Sequence, residues 1–220
     1  MAFGTVFTFP GDHCRTIGIK AAAKVNNIEL VFDVQPRTPE HFAVSKLGKV
    51  PAFIGTDGFK LYECTAIAIY IASQDKSTSL LGADDREYAT IIQYMSFFNS
   101  EIVLPLVERY LPLAGIRPYD ATAVATFEKM SEAAVAVIEA DLEGKTFLVG
   151  ESVTLADYFC AGVISLGFEF FYGKEWRKSH PNVVRWYAGV VELESYKAVI
   201  EKMEWIEEPK FAGKATEQEK

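Results

Sequence analysis

The residues of this chain that could do chemistry gather around one proline and one glutamate. Pro51 closes the segment KLGKVPAF, residues 46–53, and Glu63 heads an apolar helical run. Proline lacks an amide hydrogen and allows a cis bond before it, so Val50 can present its own N–H and C=O to a ligand. The first N–H groups of a helix have no internal partner and favour a carboxylate. The features together predict a small-peptide site in which Glu63 meets the ligand's ammonium group.

Each feature alone has a structural explanation as well. A Val-Pro pair often only enters a sheet, and a glutamate in the first turn of a helix can simply complement the dipole, which contributes about 0.3 to 1 kcal/mol. The spacing favours the functional interpretation. A proline-ended loop, a strand, the turn Asp57-Gly58, a second strand and an acid-headed helix form one compact β-turn-β-α unit.

Several fragments extend this pattern along the chain. They are GKVPAF at residues 48–53, the Glu63-Cys64 pair, LLG at residues 80–82, LVGESVTLADYF at residues 148–159 and HPNVVRWY at residues 180–187. With these fragments, residues 3 to about 205 resemble the cytosolic glutathione transferase family, and within it the transferase-like first domain of the gamma subunit of translation elongation factor 1. The resemblance implies an α+β fold. A thioredoxin-like domain in the order βαβαββα would precede an all-helical domain.

The resemblance also implies glutathione as the co-substrate and assigns its contacts. The implied glutathione-binding residues are Lys49, Val50, Pro51, Glu63, Cys64 and Arg37. Val50 would pair with the cysteinyl part, while Glu63 and the Cys64 N–H would hold the γ-glutamyl end. Lys49 would attract the glycine carboxylate, with Arg37 as a second candidate. Cys64 stands where many relatives have serine, so a strong hydroxyl donor is replaced by a weak thiol donor.

Catalysis by such a protein requires stabilisation of the glutathione thiolate. A free thiol has a pKa near 8.5, and one hydrogen bond to the charged sulfur is worth about 1.5 to 3 kcal/mol. In serine-type relatives the donor stands a few residues before a Cys-Arg pair, and alignment on Cys14-Arg15 places Gly11 there. We expect His13 as the first substitute donor and Cys14 as the second, because a helix N-terminus acidifies a thiol. A buried, structural Cys14 is the alternative, and Arg15 would give electrostatic support.

A pocket for an apolar electrophile is predicted on the long helix after residue 85. Tyr94, Phe97 and Glu101 lie offset from its core stripe, and the aromatic residues at 168 and 170–172 could extend that surface. Core packing is the alternative for this aromatic cluster. The helix itself runs through Ile91 and is expected to bend near Pro105, which lacks a backbone donor.

Composition narrows the classes of function. A chain of 220 residues with 50% hydrophobic residues can bury a sizeable core, and a net charge of −8 with a pI near 5.0 argues against nucleic-acid binding. Three cysteines and three histidines without ligand spacing predict reduced thiols and no metal site. No secretory segment or membrane span is recognisable, so we expect a cytoplasmic protein without membrane contact.

The domain organisation follows from a polar interruption at residues 73–78. We predict a thioredoxin-like domain over residues 1–76, a helical domain over residues 86–205 and a polar tail over residues 206–220, with mobility expected from Glu207 to Lys220. Strands are expected at residues 5–9 and 28–34, and a capping box at Thr154 and Asp157 should open a helix.

Two functions from different classes fit these observations. The first is a homodimeric glutathione transferase that conjugates the glutathione thiol to small electrophiles. The second is a scaffold domain of the elongation factor 1 gamma type, which binds the nucleotide-exchange subunit and has weak or no transferase activity. Gly11 at the place of the catalytic hydroxyl favours the second.

Overall fold

The first half of the chain contains a four-stranded sheet. A computed structural model describes residues 2–11, 14–200 and 204–211 of the chain. Its strands are β1 (Gly4–Phe7), β2 (Leu30–Asp33), β3 (Ala52–Gly55) and β4 (Lys60–Tyr62). They lie in the order β2-β1-β3-β4, with β1 parallel to β2 and antiparallel to β3, and β3 antiparallel to β4. Both strands predicted before residue 35 are present, the first beginning one residue earlier and ending two residues earlier than expected, and the second shorter by three residues.

Three helices complete the first half. They are α1 (Cys14–Val25), α2 (Pro39–Val44) and α3 (Cys64–Ala72). The apolar spacing in α1 buries Ile17 and Ile19 completely. Thr38 caps the N-terminus of α2, where its side chain accepts a hydrogen bond from the His41 N–H. The resulting order, βαβαββα, confirms the thioredoxin-like arrangement.

The second half is helical throughout the part that the structure describes. Its helices are α4 (Asp85–Phe97), α5 (Val103–Leu113), α6 (Ala121–Asp141), α7 (Leu155–Phe170), α8 (Lys174–Ser179), α9 (Pro181–Val191) and α10 (Glu194–Lys197). Aspartates cap two of them, since Asp84 accepts from the first N–H groups of α4 and Asp120 from those of α6. The predicted all-helical second domain is confirmed.

A π-helical turn, Phe98–Ile102, separates α4 from α5. The sequence predicts one helix bent near Pro105, but the irregularity lies earlier in the chain. Pro105 cannot donate to a carbonyl of the preceding turn, and its position in the first turn of α5 tolerates that loss. The turn keeps Phe98 and Ile102 buried. Between them it leaves Asn99 half-buried, and π-helical turns of this kind frequently occur at functional sites.

The predicted capping box at the start of α7 is present. The Asp157 carboxylate is fully buried. One of its oxygens accepts from the Leu148 N–H and the Trp186 indole N–H, both at 2.9 Å. The other oxygen accepts from the N–H of Thr154 at 2.9 Å and from its hydroxyl at 3.1 Å. Asp157 therefore ties the loop before α7 and helix α9 to the helix that fills the core.

Helices α1 and α7 cross at close range, and this contact joins the two halves in one core. Two glycines permit it. A Cβ on Gly18 would lie 2.8 Å from the Cα of Phe159, and a Cβ on Gly162 would lie 2.8 Å from the Cβ of Ile17 and 3.1 Å from the Cys14 carbonyl oxygen. The N-terminal end of α1 is thereby held against the helical half.

The predicted polar tail is partly held in place. The Lys174 N–H donates to the Glu207 carbonyl at 2.8 Å, and the Lys210 N–H donates to the Phe170 carbonyl at 2.8 Å. Arg177 also donates to the Ile206 carbonyl. These bonds connect the first part of the tail to the helical half, residues 212–220 lie outside the described part, and the mobility expected from Glu207 onward remains a prediction. The predicted domain limits at 76, 86 and 205 remain predictions.

Substituting Gly162 with alanine should destabilise the protein. The added methyl group meets neighbours below van der Waals distance, and such overpacking typically costs about 1 to 3 kcal/mol of unfolding free energy. Gly189, in α9, provides the control, because a Cβ there meets nothing within 4 Å. Gly189→Ala should raise the unfolding free energy by about 0.5 to 1 kcal/mol. Urea unfolding measures both, and a Gly162→Ala variant as stable as the parent would contradict the close crossing.

Candidate functional site

A cavity of about 390 Å³ lies where the loop before β3 faces the helical half. Its lining residues are Arg15, Ser45, Lys46, Leu47, Lys49, Val50, Pro51, Tyr62, Glu63, Cys64 and Asn99. The volume is in the range of about 300 to 1,000 Å³ that small-ligand sites occupy. All predicted glutathione-binding residues except Arg37 meet here.

The loop before β3 presents an unused stretch of backbone to this cavity. The Val50-Pro51 peptide bond is cis, as the sequence allowed. Pro51 is buried and Val50 is half-buried. Neither the N–H nor the C=O of Val50 has a hydrogen-bond partner among the described residues. Both groups are therefore available to an extended peptide.

Buried His41 fixes this loop from beneath. Its Nδ1 lies 2.8 Å from the Arg37 N–H, which can only donate, so Nδ1 accepts and Nε2 carries the hydrogen. Nε2 then donates to the Lys49 carbonyl at 3.0 Å. The Lys49 N–H donates to the Ser45 hydroxyl, also at 3.0 Å. Both the N–H and the C=O of Lys49, just before Val50, are therefore held by hydrogen bonds. Sequence analysis missed His41 because its partners are backbone groups, which no pattern of side chains in the sequence indicates.

Arg37 takes a different role from the predicted one. Its backbone has a φ of 73°, and its N–H is the donor to His41. The side chain is exposed and lies outside the cavity lining. The structure therefore corrects the prediction that Arg37 serves the glycine end of the ligand. Its contribution is to the backbone that supports the loop.

Glu63 stands at the start of α3 in an unfavourable conformation. Its φ is 75° and its ψ is 120°, values that a residue other than glycine rarely adopts. Such a conformation costs about 1 to 3 kcal/mol and concentrates at ligand sites. The Glu63 side chain makes no capping hydrogen bond to the helix. Its carboxylate is exposed at the cavity, where it can meet an ammonium group.

Asn99 joins the two halves of the protein inside the cavity. Its Oδ1 accepts from the Arg15 Nε at 3.2 Å and from the Cys64 thiol at 3.5 Å. Burial raises the pKa of the Cys64 thiol, although the positive charge of Arg15 acts in the opposite direction. Cys64 is therefore a neutral thiol near pH 7. Sequence analysis missed Asn99, whose only signal was a polar residue beside the buried positions of an apolar helix.

The structure does not support Cys14 as an activated thiol. Burial raises its pKa to about 11, because desolvation outweighs both the Arg15 charge and the hydrogen bond from the Arg15 N–H. The structural alternative, a small buried side chain, describes it correctly. His13 lies outside the described residues. The hydroxyl of Thr8 is buried and bonded to that of Thr16 at 2.7 Å, so it does not replace the missing donor at Gly11.

The predicted electrophile pocket is also corrected. Tyr94 is 5% exposed, and its hydroxyl donates to Asp141 at 3.1 Å. Phe97 packs against the core, Glu101 is exposed, and neither residue lines the cavity. Tyr94 and Phe97 lie in the regular part of α4, and of the three residues only Glu101 lies in the π-helical turn. The aromatic residues at 168, 171 and 172 are buried in the core, where Phe168 stacks on Tyr187.

Three further observations concern cofactors and membranes. The three cysteines are free thiols. In the ranges that the structure covers, no group of three or more His, Cys, Asp and Glu side chains could hold a metal ion. None of the helices found there is long and apolar enough to cross a bilayer.

Comparison with known proteins identifies the family. The sequence matches "Glutathione S-transferase, N-terminal domain" over residues 4–73 and "Glutathione S-transferase, C-terminal domain" over residues 91–194. The chain belongs to the glutathione S-transferase family. It is 54% identical over 217 residues to glutathione S-transferase psoE of Aspergillus fumigatus, which covers 99% of this chain and 92% of that protein.

The elongation-factor branch of the family is similar as well. The chain is 33% identical over 227 residues to elongation factor 1-gamma-A of Xenopus laevis, covering 96% of this chain but 51% of that protein. The crystal structure of the GST-like domain of elongation factor 1-gamma from Saccharomyces cerevisiae superposes with a TM-score of 0.80 at 32% identity. That match covers 95% of this chain and 98% of the domain. The predicted resemblance and fold are confirmed.

Substituting His41 with alanine should loosen the Lys49–Pro51 loop. Each lost hydrogen bond contributes about 0.5 to 1.5 kcal/mol, so we expect the KM for glutathione to rise about tenfold with a smaller change in kcat. His180 offers a matched control, because it is half-buried and stacks on Trp176 at 4.0 Å, far along the helical half. Steady-state kinetics decide the matter. A folded His41→Ala variant with an unchanged KM would show that the loop does not need this anchor.

Substituting Cys14 with alanine should leave catalysis intact. A thiol with a pKa of about 11 is protonated at neutral pH and cannot serve as an acidified donor. We expect kcat/KM for glutathione conjugation to stay within about twofold, and its pH profile from about 6 to about 9 to keep its shape. A loss of a hundredfold or a shifted acidic limb would restore Cys14 as the thiol-activating residue.

Proposed function

We propose that this chain binds glutathione in the cavity beside Val50 and Glu63 and conjugates its thiol to small electrophiles. One observation carries the proposal. A free strand-like backbone at Val50 and an exposed carboxylate at the start of α3 line one cavity of about 390 Å³. The first suits the amides of a peptide, and the second suits its ammonium group.

Each part of glutathione has a predicted contact in the cavity. The cysteinyl part pairs with Val50, the γ-glutamyl ammonium meets Glu63, and the glycine carboxylate is attracted by the exposed Lys49. The half-buried Arg15 supplies positive charge at the same cavity. His13 remains the proposed hydrogen-bond donor to the sulfur.

The proposed reaction is nucleophilic substitution or addition by sulfur. With a chloronitrobenzene, the sulfur forms a bond to the ring carbon that carries chlorine, chloride leaves with the bonding electrons, and the thiol proton passes to solvent. The protein promotes this step by increasing the thiolate fraction, since each pKa unit corresponds to 1.36 kcal/mol. Holding the peptide backbone positions the sulfur for attack.

A scaffold role of the elongation factor 1 gamma type is the second candidate. The similarity to the yeast domain over 95% of the chain supports it, as does Gly11 at the position of the catalytic hydroxyl. Gly11 has a φ of 76°, which favours glycine over other residues there. In this alternative the surface recruits a nucleotide-exchange subunit. A cytoplasmic location and a homodimer belong to both proposals.

Turnover of a chloronitrobenzene with glutathione tests the proposed function. We expect rates well above the uncatalysed reaction, and a Glu63→Gln variant should raise the KM for glutathione about tenfold by weakening a charge-assisted bond. Glu151→Gln is the control, because Glu151 is exposed outside the cavity.

Two results would contradict the transferase proposal. The first is a calorimetric titration without glutathione binding at millimolar concentration. The second is absence of turnover combined with stable co-purification of an exchange subunit, which would favour the scaffold.

A further inference from the structure

We propose that Arg15 and Asn99 form the binding site for the α-carboxylate of the γ-glutamyl residue, a task for which the Cys64 side chain is unsuited. The inference rests on the proposed function and adds a specificity site to it. It concerns three elements: the start of α1, the start of α3 and the π-helical turn. Arg15, Cys64 and Asn99, one from each element, all line the cavity.

The orientation of the Asn99 amide follows from its neighbours. The Arg15 Nε–H can only donate, so the amide atom 3.2 Å from it must be the oxygen. The same oxygen accepts from the Cys64 thiol at 3.5 Å. The Nδ2 group therefore lies on the other branch of the amide, and its two N–H donors have no partner in the part of the chain that the structure describes. Asn99 can offer them to a ligand.

Arg15, like Asn99, has N–H donors that are available to an anion. Its Nε is engaged by Asn99, which restricts the side chain, while its two Nη groups bond to none of the described residues. A guanidinium offers parallel N–H groups in a fixed plane, and these match the two oxygens of a carboxylate. Ordering the side chain before binding reduces the entropy lost on binding.

The Cys64 side chain does not provide a strong hydrogen bond to the ligand carboxylate. Its thiol is directed to the Asn99 oxygen and is a weak donor in any case. A serine at this position could donate a strong hydrogen bond to the ligand. Here the amide of Asn99 takes up the thiol and carries better donors on its nitrogen. The side-chain donors to the carboxylate thereby lie on α1 and the π-helical turn, beside the backbone N–H groups at the start of α3.

The arrangement of charges identifies the carboxylate as the ligand group. Glu63 is negative and Arg15 is positive, and Cys64 lies between them, adjacent to Glu63 in the chain and linked to Arg15 through Asn99. An α-amino acid head group carries an ammonium and a carboxylate on one carbon. The γ-glutamyl residue is the part of glutathione that has both groups together, so it matches this pair of opposite charges.

Three ligands and one substitution test the proposal by calorimetry. The ligands are glutathione, 4-aminobutanoyl-Cys-Gly, which lacks the α-carboxylate, and glutaryl-Cys-Gly, which lacks the ammonium. Asn99→Asp keeps an oxygen towards Arg15 and Cys64 but replaces the Nδ2 donor with an anionic oxygen. We expect its Kd for glutathione and for the glutaryl analogue to rise about ten- to a hundredfold. The Kd for the aminobutanoyl analogue should change by less than about threefold.

Two further variants secure the interpretation. Gln93→Glu makes the same amide-to-acid change on an exposed position of α4 and should leave all three Kd values unchanged. Arg15→Gln should repeat the selective loss for the two ligands that carry the carboxylate. Thermal unfolding verifies that each variant is folded. If Asn99→Asp does not fold, Arg15→Gln and the parent protein's preference for glutathione over the aminobutanoyl analogue decide the question.

The overturning results are distinct. Equal weakening of all three ligands in Asn99→Asp or Arg15→Gln would reject the carboxylate site while leaving glutathione binding intact. A raised pKa of the bound thiol, seen in its ultraviolet absorbance, without altered carboxylate discrimination would assign the pair to the sulfur instead. Failure of the parent protein to bind any of the three ligands would overturn the proposed function together with this inference.

Discussion

The close approach of α1 to α7 is the contact on which the site depends. Gly18 and Gly162 remove the side chains that would separate the two helices. Because α1 begins at residue 14, this contact also decides where Arg15 lies relative to the helical half. Only a short distance remains to Asn99, and one amide oxygen bridges it. The cavity is therefore built by two halves of a single core rather than by either half alone.

In this site, desolvation sets the protonation of the protein's thiols, and charged side chains provide the groups that can bind a ligand. Cys64, which lines the cavity, and Cys14, at the start of α1, are both buried, and burial raises the pKa of each thiol above its usual value. Nucleophilic sulfur must then come from the ligand. The side chains of opposite charge, Glu63 and Arg15, line the cavity, where a ligand can reach them. This arrangement suits a protein that binds a charged peptide and leaves its own cysteines unreactive.

Local sequence patterns predicted the features that depend on local interactions. The strands, the capping box at Thr154 and the position of Glu63 follow from side-chain periodicity and from the unpaired N–H groups of helix ends. The missed or mistaken residues depend on contacts between distant segments. Asn99 lies in a π-helical turn, which interrupts the helical periodicity. Tyr94 lies in the regular part of α4, and its burial depends on a distant segment, where its hydroxyl donates to Asp141. His41 acts on backbone groups, which no side-chain motif reveals.

The conformation of Glu63 has an evolutionary consequence. A left-handed backbone at that position is one that glycine adopts without strain, whereas glutamate retains a conformational penalty in every folded molecule. Selection for heat tolerance alone would therefore enrich glycine at residue 63 and erase the carboxylate. Persistence of an acidic side chain there under natural selection would mark a requirement imposed by the ligand, and a library sorted only by thermal endurance would reveal that conflict without any substrate.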